Sequence, residues 1–240
     1  MIERHGYKMI DYRQLYLDYL NAPAPFIDRH SRENDGNRVR SRVRYPQQYE
    51  TIVATAPEDC IDLHEVLARD CNVWVWSDQH FGHKNIIKYS NRPFDNLDQM
   101  RETMIMRHNE VVEHDDVCIW VGDVAFLPDQ QANAILSRLN GYHILIVGNH
   151  DMHKKKVKNL DVDEIHLYYC LDIADVTLLF THFPLDNLPH PIVNVHGHVH
   201  DQDDPSVQHI NVSVERIDYR PVNLTNIVST AQSRVLEMAG

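Results

Sequence analysis

Five short apolar runs, NVWVW, DVCIWV, YHILIV, VTLLF and PIVNV, recur between residues 72 and 195. Each is rich in Val, Ile and aromatic residues and too short for a typical helix, so each is expected to be a β-strand. The residues just beyond each run are polar in a particular way. In order the run ends carry Ser77-Asp78-Gln79-His80, Gly122-Asp123, Gly148-Asn149-His150-Asp151, Thr181-His182 and Gly197-His198-Val199-His200. Gly-Asp or Gly-Asn alone is an ordinary turn. Five strand ends that each deliver Asp, Asn or His are a different matter, because ligands of open α/β sheets gather beyond the carboxyl ends of the strands.

The segments between the early runs read as helices. NLDQMRETMIMRHNEVV opens with Asn96 and has Gln99 at a capping-box spacing. Its Leu97, Met100, Met104, Ile105, Val111 and Val112 approximate an apolar stripe. DQQANAILSRL is a second candidate, closed by Asn140-Gly141. Strands alternating with helices, then strands in closer succession, predict an α/β sandwich. Residues 71–240 are expected to form this domain and residues 1–70 an N-terminal extension. In the extension, MIDYRQLYLDYLNAP reads as a helix ended by Pro23 and Pro25, DRHSRENDGN as a loop, and CIDLHEVLARDC as a short amphipathic helix. RVRSRVRY reads as an edge strand whose Arg38, Arg40, Arg42 and Arg44 share a basic face.

Composition bounds the function. The net charge is -12, with 13 Lys and Arg against 23 Asp and Glu in residues 71–240, which disfavours a general binder of nucleic acid. No run approaches the roughly 20 apolar residues of a membrane span, and no signal-peptide core is evident. Cys60, Cys71, Cys118 and Cys170 are scattered and match neither a zinc-ligand spacing nor a disulfide framework. A cytoplasmic protein with reduced thiols is expected. Its oligomeric state is not legible.

The ordered set D-x-H, G-D, G-N-H-D, H and G-H-x-H resembles the calcineurin-like metallophosphoesterase superfamily, and SDQHFGHKNI, RPF, GHVH and NVSVERIDYRPVNL resemble its small bacterial and phage members. The resemblance spans residues 78–200 and implies a sandwich of two β-sheets flanked by helices. It assigns Asp78, His80 and His200 to one divalent metal, and Asn149, His182 and His198 to a second, with Asp123 bridging. Asp78 and His80 are two apart, as side chains on one face of a strand are. Two dications, two carboxylates and a bridging hydroxide leave the cluster at about +1, which attracts a phosphate ester. Mn²⁺ is the first choice of metal, with Fe, Ni²⁺ and Zn²⁺ as alternatives.

The implied function is hydrolysis of phosphate esters, with small phosphodiesters such as nucleotide esters preferred, by attack of a metal-bridging hydroxide. His150 would serve the leaving group and Asp151 would orient it. His83 and Arg92 are candidate substrate contacts; for Arg92, pairing with a nearby carboxylate is the preferred reading. Lys154, Lys155, Lys156 and Lys158 could rim the site or form a solvated run, and His196 is expected to be supporting or structural. Alternatives are a nuclease, favoured by the arginine alternation, and a non-catalytic binding protein of the same fold. Val124-Ala125-Phe126 stands where phosphoprotein phosphatases carry Asp-Arg-Gly, which argues against that activity.

Overall fold

The computed structural model describes residues 61–69, 71–151 and 159–239. The expectations for the first helix, the loop, the arginine strand with Arg38, Arg40, Arg42 and Arg44, Cys60, and Lys154, Lys155, Lys156 and Lys158 all lie outside the described residues. The other three cysteines are free thiols.

The run VWVW forms β1 (Val73–Trp76), and its alternation decides the layering. Val73 and Val75 point into a core shared with Val117, Ile119, Ile144 and Ile146, while Trp76 points the other way, among Trp120, Met100 and Met104. β2 (Val117–Trp120) is buried along its whole length and β3 (Tyr142–Ile146) along all but its first residue. Strands covered on both faces read as continuous apolar runs, which is why these segments stand out in the sequence. β1, β2 and β3 are parallel neighbours, with Trp76 opposite Trp120 and Trp120 opposite Leu145. β4 (Glu164–His166) and the antiparallel β9 (Val222–Asn223) complete this sheet in the order β4-β3-β2-β1-β9.

The second sheet has the order β5-β6-β7-β8, from β5 (Tyr169–Ile173), β6 (Val176–Phe180), β7 (Ile192–His196) and β8 (His209–Asn211). Leu171, Val176, Leu178, Phe180, Val193 and Val195 meet the first sheet's valines and isoleucines in one core, so the two sheets form a sandwich. The fold is α/β, with two sheets flanked by helices.

The helices cover the faces and edge of this sandwich. α1 (Leu63–Ala68) places Leu63 and Val66 in the inter-sheet core, so packing continues across the boundary drawn at residue 70. α2 (Ile86–Tyr89) is a single turn. α3 (Leu97–Asn109) buries Met100, Met104, Ile105 and His108, and α4 (Asp129–Leu136) buries Ala132, Ile135 and Leu136. The α3 start is capped as expected by Asn96, whose Oδ1 accepts from Gln99 N at 2.9 Å. The return bond is displaced by one residue: Gln99 Oε1 accepts from Asp95 N, 2.6 Å away. α5 (Leu224–Ala239) docks Leu224, Ile227, Val228 and Ala231 on the inter-sheet core.

Near the site the two sheets are stitched together. Ser77 pairs with Ser213 beyond the ends of β1 and β8, Ser77 N donating to Val212 O at 2.9 Å and Val214 N to Ser77 O at 3.0 Å. Asp78 N, His80 N and Phe81 N donate in turn to the carbonyls of Gly122, Asp123 and Val124, so the segments after β1 and β2 run side by side.

Candidate metal centre

The carboxyl ends of β1, β2, β3, β6 and β7 meet at one edge of the sandwich, and there the backbone turns sharply. Asp78, His80, Asp123, His198 and His200 all have positive φ, between 51° and 69°. Non-glycine residues rarely adopt this conformation, though Asp and His tolerate it better than most, and it clusters at functional sites. Two glycines are there because neighbouring backbone and ligands come too close for a side chain. A Cβ on Gly197 would collide with Ser77 Oγ and Asp78 Oδ2, and one on Gly148 with Asp123 Oδ1.

Two trios of donors result, Asp78, His80 and His200, and Asp123, His182 and His198, all buried except the half-buried His198. Within each trio the donor atoms lie within 4.8 Å of one another. In the first, His80 Nε2 is 3.5 Å and His200 Nε2 is 3.9 Å from Asp78 Oδ1. In the second, His182 Nε2 is 3.4 Å from Asp123 Oδ2 and 3.0 Å from Asn149 Oδ1, which brings Asn149 into the group. Asp123 Oδ2 is also 3.7 Å from His80 Nε2, so this one oxygen faces both trios.

Hydrogen bonds orient the donors. His182 Nδ1 donates to Val121 O at 2.8 Å, which turns Nε2 toward Asp123 and Asn149. Asp78 Oδ2 is held by His198 N at 2.8 Å and Ser213 Oγ at 3.1 Å, leaving Oδ1 to face the histidines. Burial opposes ionisation of Asp78, but His200, His80 and His182 around it hold its carboxyl well below the ordinary range. Asp123 is likewise lowered by His182, His150 and His80 against the effect of burial. Burial pushes His80 down to about 4 and His198 to about 3, so both rings keep a lone pair at neutral pH. For His182 burial is outweighed by the Asp123 carboxylate, which raises it to about 10.

The donor set fits divalent cations. Asp78 Oδ1 and both ring nitrogens of His80 are buried and make no hydrogen bond. Orphaned buried polar atoms are costly unless something completes their shell. Two ligands each about 2.1 Å from a common ion lie roughly 3–3.5 Å apart at tetrahedral or octahedral angles, so the spacings here need only small adjustments. Asp78, His80 and His200 could hold one ion, and Asp123, Asn149, His182 and His198 another.

The remaining candidates divide. His150 is 36% exposed at its side chain, with Nε2 3.8 Å from Asp123 Oδ2 and its ring 4.4 Å from that of Phe126. His83 lies in the turn before α2, its ring stacked on Phe126 at 4.2 Å and 5.5 Å from that of His80. One expectation is corrected. Asp151 does not orient His150: its carboxylate accepts from Asp123 N (2.7 Å), Val124 N (3.0 Å) and Gly148 N (2.9 Å), tying the β2 and β3 loops together. Arg92 takes the preferred of its two readings, the carboxylate pairing: it is 4% exposed and paired with Glu215, not turned to a substrate. His196 is fully buried at the end of β7, with Nδ1 donating to Gly197 O at 2.9 Å, a supporting position.

Three contributors escaped sequence reasoning. Glu215 accepts from His200 Nδ1 at 3.1 Å, Ser213 holds Asp78, and Phe126 touches the rings of His80, His83 and His150. The local signals for Glu215 and Ser213 were the SVERIDY segment, and for Phe126 its place two residues beyond the Gly-Asp-Val turn.

No family model matches the chain. An uncharacterised protein of Methanocaldococcus jannaschii is 36% identical over 163 residues, covering 65% of this chain and 89% of that protein. The crystal structure of a protein of unknown function from Aquifex aeolicus aligns with a TM-score of 0.55 at 25% identity, over 67% of this chain and 99% of that one. A phosphoesterase from E. coli aligns at 14% identity over 59% of this chain and 78% of its own, with a TM-score of 0.32 that carries no weight.

Proposed function

The chain belongs to the same family as the uncharacterised Methanocaldococcus jannaschii protein, and from the chemistry of its strand-end cluster we propose that it is a metal-dependent phosphoesterase. In this reading Asp78, His80 and His200 hold one divalent cation, Asn149, His182 and His198 hold a second, and Asp123 is shared. Divalent ions in that position supply Lewis acidity toward phosphoryl oxygens and lower the pKa of water. Mn²⁺ is the first choice for these mixed oxygen and nitrogen donors.

The chain's own residues do the rest. Asp123 supports sharing because its Oδ2 faces His80 and His182 at 3.7 and 3.4 Å. His150 carries a proton at Nε2 on the more open side of the cluster and gives it to the departing ester oxygen. His83, stacked on Phe126 beside His80, lines the approach of the phosphoryl group. Asp151 keeps the Asp123 and Gly148 loops in register and touches no substrate. The preferred substrates are small phosphodiesters such as nucleotide esters, since a net charge of -12 repels long polyanions.

The observation that carries this reading is the convergence of Asp, Asn and His donors from five strand ends, with Asp78 Oδ1 and the His80 ring left without hydrogen bonds. Manganese-loaded protein should bind two ions per chain and hydrolyse at least one class in a panel of phosphomonoesters, cyclic nucleotides and single-stranded oligonucleotides, fastest on a phosphodiester. Chelation should abolish turnover. A fully loaded chain that leaves every ester intact overturns the activity, and saturation at one ion overturns the dinuclear centre.

A further inference from the structure

The segments NRPF and SVERIDY are more than 100 residues apart in the chain, and neither supplies a metal donor. They interlock behind the Asp78, His80 and His200 trio. Arg92 Nε and Nη2 lie 2.8 and 2.7 Å from Glu215 Oε1. The Arg92 guanidinium sits 5.9 Å over the Tyr219 ring, and Phe94 meets the same ring edge-on at 4.8 Å. A buried ion pair is by itself weak evidence of stabilisation, since desolvation cancels much of the attraction. Its further hydrogen bonds show what the pair holds in place.

Apart from Arg92 Nη1 donating to Met100 Sδ at 3.6 Å, they lead to ligands of one trio. Glu215 Oε1 accepts from His200 Nδ1 at 3.1 Å, which fixes the tautomer and leaves Nε2 to face the site. Arg92 Nη2 donates to Asp78 O at 2.7 Å and Nη1 to Gln79 O at 2.9 Å. Gln79 O belongs to the peptide that enters His80, and Asp78 and His80 are both held at positive φ. One charge pair therefore touches the ring of His200 and the backbone that aims Asp78 and His80. The other trio is supported differently: the acceptor behind His182 is the neutral carbonyl of Val121.

We propose that Arg92 and Glu215 form a positioning unit that sets the metal affinity of the Asp78, His80 and His200 site and leaves the Asn149, His182 and His198 site unaffected. This rests on the dinuclear reading above. A carboxylate behind a ligating imidazole raises its basicity and fixes its orientation, and loss of such a partner typically costs about 10- to 100-fold in metal affinity.

The test is a Co²⁺ titration of the full chain monitored by visible absorption, with bound metal counted by elemental analysis. Glu215→Gln should weaken one ion by about 10- to 100-fold and leave the other at wild-type affinity. The same weakening should persist in a His182→Ala background, where the Asp78 site is the one left to fill. Arg92→Lys, which keeps the charge but gathers its donors on one nitrogen and cannot span the acceptors that Nε, Nη1 and Nη2 reach, should fall between. Should Glu215→Gln fail to fold, the Arg92→Gln/Glu215→Gln double variant leaves no buried charge unpaired and carries the same comparison. Unchanged affinity for both ions, or an equal loss at both, overturns the proposal. A wild type that binds fewer than two ions overturns the dinuclear reading instead, and the His182→Ala comparison still reports on Glu215.

Discussion

His150 and Asp151 are adjacent in the chain and have opposite surroundings. Asp151 is buried, with three backbone N–H groups on its carboxylate, whereas the His150 side chain is 36% exposed and hydrogen-bonded to Asp123 through its backbone N–H. Only the histidine has the access a proton donor needs. His150→Ala should therefore keep both metal ions while kcat falls by roughly 10²- to 10⁴-fold on esters with poor leaving groups. The loss should be smaller on a nitrophenyl ester, whose leaving group departs without a proton. Metal counts alongside kinetics on both substrates check this, and equal losses would assign His150 to binding the phosphoryl group.

Among the elements, the loops after β1, β2, β3 and β7 are interdependent because they pack backbone against ligand. Gly197 shows the consequence. Its φ is not positive, so alanine would meet no conformational penalty there, yet the added methyl would collide with Ser77 Oγ and Asp78 Oδ2. Gly197→Ala should thus displace Asp78 and lower the bound metal toward one ion per chain, with circular dichroism showing the sheets intact. Retention of two ions at wild-type affinity would mean the loop can retreat without moving its ligand. The helices carry a milder lesson. Asn96 caps α3 as its sequence suggested, but the reciprocal partner is Asp95 N, because Gln99 reaches one residue further back.

For the whole molecule, the acid limit is set away from the site as well as within it. His108 of α3 and His143 of β3 both direct Nε2 at Asn140 O, at 2.9 and 3.1 Å, so both donate there as neutral rings. Burial pushes His108 down to about 3 and lowers His143 as well. The folded pKa lies below the unfolded one, so below about pH 6.5 the unfolded chain takes up protons that the fold refuses. Stability is complete above that pH and is lost as pH falls, at up to about 1.4 kcal/mol per pH unit for each group. His108→Gln keeps a donor for Asn140 O and does not titrate. Urea unfolding of metal-loaded protein at pH 7.5 and 5.5 should show a smaller drop for this variant than for wild type. Proton competition at the metal ligands adds to both and leaves the difference readable. Among the described residues no helix is long and apolar enough to cross a membrane.

The chain's local signals determined the five main strands and the residues at their ends. A buried strand declares itself by an unbroken β-branched and aromatic run, and a strand-end donor by the polar residue that stops it. Asp78, His80, Asp123, Asn149, His182, His198 and His200 were legible this way as strand-end residues, and their grouping as ligands was implied by the resemblance that the order of their motifs carries. Where a residue's role depends on a distant partner, only the tertiary structure decided it. The carboxylate that pairs with Arg92 is Glu215, far along the chain, and the backbone amides that take Asp151 away from His150 include two from the loop after β2. β8 and β9 are too short to announce themselves and exist because β7 and β1 offer them hydrogen bonds. α5 mixes Thr, Asn and Ser with its apolar residues and takes its place by docking Ile227, Val228 and Ala231 on the core. Propensity acts over a few neighbouring residues, whereas pairing and burial join residues more than 100 apart, and those long-range contacts are what aim the site.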